Sequence, residues 1–133
     1  MTSKLKTRDV AKAFYANYLK KADECFHAAL NSFKNEEWNA AAINAIHACI
    51  AGCDAICVYF LGKRSEEHNT AVVLFKTIKN DEEINTNANR ISRILRTKNM
   101  AEYEERLVYK KEAERILQDC ERLLTYVKGQ LPK

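Results

Sequence analysis

The stretch that decides the fold reads WNAAAINAIHACIAGCDAICVYFLG and covers residues 38–62. At 3.6 residues per turn, one face of such a helix is apolar throughout and carries Trp38, Ala41, Ala42, Ala45, Cys49, Cys53, Ile56 and Phe60. The opposite face is also apolar, with Ile43, Ile50, Val58 and Leu61, but it is interrupted by His47 and Asp54. A helix that is apolar on both sides has to be buried on both sides. We therefore expect the rest of the chain to pack around it and to supply partners for His47 and Asp54.

The composition favours one all-helical domain. The chain has 133 residues, of which 47% are hydrophobic, so it can build a substantial core. Three glycines and one proline leave little turn chemistry for an all-β fold. The net charge of +4 is mildly basic, which permits contact with nucleic acid without requiring it.

The cysteines and the apolar stretch both indicate a cytoplasmic protein. Five cysteines in apolar helical surroundings are typical of buried thiols in a reducing compartment. Residues 1–12 are polar and basic, unlike a signal peptide. Residues 38–62 are long enough to span a bilayer, but their polar side chains would cost free energy in lipid. We expect no membrane contact, and no cofactor or metal, since the spacing of Cys49, Cys53 and Cys57 is that of a helical core.

Apolar periodicity predicts four long helices and one short one, packed as an up-and-down bundle over residues 1–133. The first helix is expected from about Thr7 to Asn35, on the stripe Ala11, Phe14, Tyr18, Ala22, Cys25, Ala29 and Phe33. Asn35 is expected to cap the central helix, with Glu36 and Glu37 in its first turn. At the other end, Gly62 should adopt the left-handed conformation that ends a helix.

The second half of the chain carries the other three helices. The short helix is expected over 70–79, and the fourth begins at the capping box Asn80-x-x-Glu83. The fourth has the apolar stripe Ile84, Ala88, Ile91 and Leu95. The last helix runs from about Tyr109 to Gly129, with Ala113, Ile116, Leu117, Cys120, Leu124 and Val127 facing inward.

The remaining segments are expected to be non-helical. Residues 1–7 should fray, 63–69 should form a polar surface loop, 97–108 should form a break, and 130–133 should form a tail.

Three segments, in this order, carry a family pattern. Residues 44–75 hold an Ala-rich helix with Asp54-Ala55, then Leu61-Gly62-x-Arg64-Ser65, then a His and a short apolar helix. Residues 95–105, LRTKNMAEYEE, are similar to an Arg-Asn-x-Ala-Glu-Tyr signature, and 110–127 read KKEAERILQDCERLLTYV. Together, over about residues 10–128, they resemble the HEPN superfamily, helical domains named for higher eukaryote and prokaryote nucleotide binding.

The resemblance implies a bundle of four or more helices that commonly pairs as a homodimer. Many HEPN members are metal-independent ribonucleases, in which an Arg is followed four to six residues later by a His and the two copies of this motif meet across the dimer interface. A polar residue of the second helix often supports the pair. Other members are antitoxin-associated, nucleotide-sensing or protein-binding modules.

The chain departs from that nuclease motif. Aligned on Asn99, it has Lys98 in place of the Arg and Tyr103 in place of the His. Aligned on Arg96, it has Ala101 at the His position and Tyr103 at the final Tyr. Neither register supplies a His, and RNA cleavage by 2′-hydroxyl attack then lacks its usual proton carrier near neutral pH. The resemblance therefore predicts the fold better than it predicts catalysis.

Two polar residues of the central stretch are candidates for the site. Asp54 is either a structural acceptor for a cation or tyrosine of a neighbouring helix, or it orients Arg96, Lys98 and Tyr103. His47 is either a core histidine bonded to a backbone carbonyl or to Asn44, or a functional group. The 96–103 segment is the best candidate partner for both.

The arginines before the motif form a second candidate. Arg90, Arg93 and Arg96, with Lys98 and Asn99 beyond, are expected to form a basic arc that is either a solvated helix face or a surface for RNA phosphates.

Three functions are compatible with these residues. The first is a homodimeric HEPN-like module that binds RNA, a nucleotide or a protein partner without efficient catalysis. The second is a toxin-like ribonuclease with an altered site made of Arg96 or Lys98, Tyr103 and Asp54. The third is a helical partner for a nucleotidyltransferase-like protein.

Overall fold

A computed structural model describes residues 5–133, which fold into a helical bundle around one central helix. Its helices are α1 (Tyr15–Lys34), α2 (Trp38–Leu61), α3 (His68–Lys76), α4 (Glu82–Arg96), α5 (Lys98–Tyr103) and α6 (Lys110–Gln130). Two three-residue strands, β1 (Thr7–Asp9) and β2 (Lys63–Ser65), pair in antiparallel orientation. The predicted all-α bundle is confirmed. In addition, the 97–108 segment, expected as a break, contains the short helix α5.

Helix α2 is the core of the bundle, as the 38–62 stretch predicts. Half of its 24 residues are buried, and it packs against both α1 and α6. At Gly52, an added Cβ would lie 2.5 Å from Cδ2 of Leu124, so the missing side chain lets α6 approach closely. Within residues 5–133, α2 alone is long and apolar enough to cross a membrane, and 78% of its most apolar window is buried inside the bundle.

The last turn of α2 is less covered than expected. Phe60, placed on the core face by the periodicity, is 42% exposed. The ring of Tyr15, the first residue of α1, packs edge-on against Tyr59 at 4.9 Å, and Tyr59 packs edge-on against Phe60 at 5.0 Å.

The chain before α1 is not helical, which corrects the first helix predicted from Thr7. Lys12–Phe14 form a 3-10 turn, and Thr7 pairs with Ser65 across the two strands. Backbone bonds fix this pairing: the Val10 N–H donates to the Gly62 carbonyl at 2.9 Å. Apolar periodicity cannot signal such bonds. Residues 1–4 of the segment expected to fray lie outside the described residues.

The same pairing corrects the surface loop predicted over 63–69. Lys63–Ser65 form β2, Ser65 is buried, and α3 begins at His68 rather than at residue 70. The Ser65 hydroxyl lies 2.7 Å from the hydroxyl of Thr70, which ties β2 to the first turn of α3. Gly62, with φ of 68°, ends α2 in the left-handed conformation as predicted.

The connection between α1 and α2 is shifted from its predicted position. Asn35 closes α1, where its N–H donates to the Asn31 carbonyl at 3.1 Å, and does not cap α2. Glu36 has φ of 61° and reverses the chain in the left-handed region. Glu37 is the N-cap of α2, so both glutamates precede the first turn in which they were expected.

Helix α4 is capped by Asp81 and not by Asn80, because Asp81 Oδ1 accepts the Ile84 N–H at 2.9 Å. The apolar stripes of α4 and α6 are buried as predicted, except that Leu95 is only half-buried. We expect Asp81→Ala to lower the free energy of unfolding by about 1 kcal/mol and Asn80→Ala to change it little. Urea denaturation measures both, and equal losses would contradict the assigned cap.

The cysteines are free thiols, and Cys49, Cys53, Cys57 and Cys120 are buried. Burial raises the pKa of Cys49 well above its ordinary value and that of Cys120 to about 12. These side chains are therefore neutral core residues near neutral pH. Residues 5–133 contain no group of three or more His, Cys, Asp or Glu side chains placed to hold a metal ion.

Candidate functional site

A groove of about 790 Å³ runs between α3 and the junction of α4 with α5. Val72, Val73 and Leu95 form its apolar lining, and Val73 is 51% exposed. The other lining residues are polar or charged: His68, Asn69, Ser92, Arg96, Lys98 and Asn99. An exposed apolar surface edged by polar groups is typical of a binding site. These nine residues are called the α3–α5 groove below.

A largely buried ion pair lies beside the groove. Lys98 Nζ lies 2.9 Å from Glu102 Oε2, with only 18% of the lysine side chain and 11% of the glutamate side chain exposed. On the other side, His47 Nε2 lies 3.3 Å from Glu102 Oε1. That contact does not have hydrogen-bond geometry, so Oε1 has no hydrogen-bond partner in the described chain and the attraction is electrostatic. His47, Lys98 and Glu102 are called the Glu102 cluster.

The Glu102 cluster corrects the expectation for His47. Its side chain is 52% exposed, and it contacts Glu102 rather than a core carbonyl or Asn44. The Asn44 amide instead donates to the Ala40 carbonyl at 3.0 Å. The cause is α5, which turns the expected break into a helix and brings Glu102 to α2. The 96–103 segment is thus the partner of His47, as predicted.

His68 is the residue that sequence reasoning missed. It begins α3, lines the groove, and lies close enough to the Glu102 cluster for the charges of that cluster to shift its pKa. Burial lowers the pKa of His68 below its ordinary 6.5, and Lys98 and His47 lower it further, while Glu102 opposes them. The imidazole is therefore neutral at pH 7 and can accept a proton. The signal was the His that follows Leu-Gly-x-Arg-Ser, but only the fold places it near Lys98.

Asp54 does not belong to this cluster, which corrects its predicted role beside Arg96, Lys98 and Tyr103. Burial raises its pKa to about 7, and the cations that oppose the shift are Arg64 and Lys21. Asp54 and Arg64 line a small cavity of about 60 Å³ that His68 also touches. Arg64, the cation that lowers the pKa of Asp54 most, comes from β2, which the sequence did not predict. Lys21, on the neighbouring helix α1, fits the expected structural role better.

The three arginines of α4 do not form one arc. Arg93 is bound at both ends of its fork by Asp119 of α6, with two bonds of 3.0 Å. Arg90 donates to the Asn87 side chain at 2.8 Å. Arg96 alone of the three lines the α3–α5 groove. Residues three apart on a helix are offset by about 60° around its axis. Arg96 is two such steps from Arg90, so it faces α3 whereas Arg90 and Arg93 lie on the α6 side.

Comparison with known proteins agrees with this architecture. The family model described as "HEPN domain" matches residues 15–130, from the first residue of α1 to the last residue of α6. The chain belongs to the HEPN family. No curated protein sequence matches it. The HEPN match includes both the α3–α5 groove and the Glu102 cluster, so the site lies wholly within the family domain.

The segment that carries the HEPN motif is α5. Tyr103, at the position of the motif His in one register and of the final Tyr in the other, is 74% exposed at the end of this helix. The Lys98 ammonium lies 5.3 Å from the centre of its ring. Asn99 is exposed and lines the groove, whereas Ala101 is buried. Lys98, Asn99 and Arg96 are thus brought together at the groove, with Tyr103 at its margin, while Arg90, Arg93 and Asp54 lie elsewhere.

Proposed function

We propose that this HEPN chain is a cytoplasmic binding module that takes RNA or a nucleotide in the α3–α5 groove, acting as a homodimer without efficient cleavage. The groove combines an apolar lining with two cations and two amides. Apolar surface suits a base, and cations suit phosphate.

The observation that carries the proposal is the state of Arg96. Arg93 and Arg90 are held by protein partners, but Arg96 forms no hydrogen bond or ion pair to any side chain in residues 5–133. It is exposed at the edge of the groove. A free guanidinium beside an apolar surface is available to bind phosphate in a forked geometry.

Titration of a labelled single-stranded RNA, read by fluorescence anisotropy at several salt concentrations, tests the proposal. Binding through phosphates weakens as salt rises, with a slope of about −0.7 per neutralised phosphate on single strands. Affinity that is absent, or that does not respond to salt, would contradict it. Light scattering at the same concentrations tests the dimer, and a strict monomer would contradict that part.

A second candidate function, ribonuclease activity, is favoured by the position of His68. A neutral imidazole close to Lys98 can remove the proton of a 2′-hydroxyl, whose oxygen then attacks phosphorus as the bond to the 5′ oxygen breaks. Arg96 and Lys98 would stabilise the charge on the phosphate. His68 thus offers the proton carrier that the motif lacks.

Replacing His68 tests this candidate. If the chain cleaves RNA, we expect His68→Gln to lower the cleavage rate at least about 100-fold, as the loss of other general bases does. Tyr103→Phe should change the cleavage rate little. Because only the neutral imidazole acts as a base, the wild-type rate should rise with pH to a plateau, with its midpoint below the ordinary histidine pKa of 6.5. Cleavage assays across pH measure this, and equal rates in wild type and His68→Gln would rule out the role of His68.

A further inference from the structure

A second concave surface, lined by aromatic and cationic side chains, lies at the N-terminal end of α1. A cavity of about 330 Å³ is bounded by the rings of Phe14 and Tyr18, by Asn17, and by the cations Arg8 and Lys21; Asp9, Val10 and Ala11 complete it. Its volume is at the lower end of the roughly 300–1,000 Å³ usual for small-ligand sites. We call it the Phe14 slot.

The Phe14 slot has an exposed aromatic ring. Phe14 is 52% exposed. The surrounding cations lie over rings: Lys21 Nζ is 5.5 Å from the centre of Tyr18, and Lys12 Nζ is 4.2 Å from that of Tyr59. Alternating aromatic and cationic side chains are the surface on which single-stranded nucleic acid stacks its bases and neutralises its phosphates.

Three cations, Lys21, Arg64 and Arg96, are neighbours of residues that lead from the Phe14 slot to the α3–α5 groove. Lys21 lines the slot and also acts on the Asp54 carboxyl, as Arg64 does. Asp54 and Arg64 line the small cavity that reaches His68, and His68 lines the groove. Phosphates following this route would meet Lys21, Arg64 and then Arg96.

The acidic groups on the route do not reverse its charge. Asp9 in the slot and Glu66 beside the small cavity are exposed, and Glu67 is paired with Lys6 at 3.2 Å. Asp54 also lies on the route, and burial raises its pKa to about 7, so a large share of this carboxyl is neutral near pH 7. The cations on or beside the route are Arg8, Lys12, Lys21, Arg64 and Arg96. This excess of positive charge favours a ligand with many negative charges, such as a nucleic acid strand, over a peptide with a few acidic residues.

From this arrangement we propose that the Phe14 slot is a second binding site for single-stranded RNA, which extends the ligand from the short oligonucleotide that the α3–α5 groove holds to a longer strand. The inference rests on the proposed function of the groove. A base stacks on Phe14 and Tyr18, while the strand continues past Lys21 and Arg64 to Arg96.

The test compares two labelled RNAs, a trinucleotide that fills only the groove and a strand of about 12 nucleotides, within the ~4–16 common for single-strand sites. We expect Phe14→Ala to weaken binding of the longer strand roughly 10-fold, the value of one lost stacked base, and to leave the trinucleotide unchanged. Phe14→Tyr, which keeps the ring, should retain wild-type affinity. Leu107→Ala, which removes another exposed apolar side chain, is the matched control.

The outcomes separate the two proposals. The proposal for the slot would be wrong if the trinucleotide and the longer strand bound with equal affinity, or if Phe14→Ala bound the longer strand as tightly as wild type. Either result would leave the proposal for the α3–α5 groove unaffected. Wild-type protein that binds neither RNA would overturn the proposed function and the slot with it. Displacement of the longer strand by a polyglutamate peptide of equal charge would indicate an acidic protein ligand and would also overturn the slot.

Discussion

Charge reversal at Arg96 is expected to weaken the binding of a short single-stranded RNA by roughly 10- to 150-fold. The basis is one lost charge-assisted hydrogen-bond contact, worth about 1.5–3 kcal/mol, and reversal adds repulsion to that loss. Arg96 is exposed, lines the groove and is not engaged by another side chain of residues 5–133. Its replacement should therefore leave the bundle intact. Anisotropy titration of Arg96→Glu against wild type, with thermal melts of both, measures the two effects separately.

Arg122→Glu is the control for this variant. Arg122 is also an exposed arginine, but it lies on α6 away from the groove, and its reversal changes the net charge by the same two units. We expect it to lower affinity only slightly, through the general field of the protein. If the two variants weaken binding equally, RNA responds to net charge, and the groove is not its site.

Asp54→Asn is expected to stabilise the protein by about 2 kcal/mol at pH 8. The pKa of Asp54 is raised from 3.8 to about 7, chiefly by burial, with Arg64 and Lys21 compensating only in part. A shift of about three units corresponds to a ceiling of about 4 kcal/mol. The carboxyl is not fully buried, so solvent screening reduces this by roughly half.

The sign of the pH dependence follows from proton binding. Between about pH 4 and 7, the native state holds a proton that the unfolded chain has released, so wild-type stability falls as pH rises through this window. Above pH 7 the full cost of the buried charge is present. Asparagine carries no such proton, and the difference between the two proteins should grow from near zero at pH 4 to its maximum at pH 8.

Urea denaturation at pH 4, 6 and 8 measures this difference. Asp119→Asn is the contrasting control, because its carboxylate binds Arg93 at two points and its loss should destabilise the protein at pH 8. An Asp54→Asn variant that is less stable than wild type at pH 8 would contradict this prediction. It would show that the attraction of Arg64 and Lys21 for the carboxylate outweighs the cost of burying its charge.

The parts of the fold that could be predicted are those with apolar periodicity. The buried faces of α2 and α6, and the left-handed end of α2 at Gly62, follow from local pattern and backbone chemistry. The pairing of β1 with β2 could not be predicted, since each strand has three residues and is held by backbone bonds. The start of α1 was predicted too early for a related reason. Ala11 and Phe14 continue the apolar stripe of α1, although neither belongs to the α-helix.

The candidate site was predictable only where its residues share a segment. Arg96, Lys98 and Asn99 were identified from the motif region, and the pairing of His47 with that region follows from the need of a polar residue for a partner. Arg64 comes from β2, and His68 comes from the start of α3. Their positions depend on a strand pairing between residues far apart in the chain. The effect of Arg64 on the pKa of Asp54 was missed for the same reason.

The central claim is that the α3–α5 groove binds the phosphates and bases of RNA, and NMR titration tests it most directly. Isotope-labelled protein is titrated with a short single-stranded RNA, and the amide shifts are followed residue by residue. The account predicts that the largest changes cluster at 68–73 and 96–99, and that Arg96→Glu needs a higher RNA concentration to reach the same changes. Changes confined to α6, or no changes at all at saturating RNA, would contradict it.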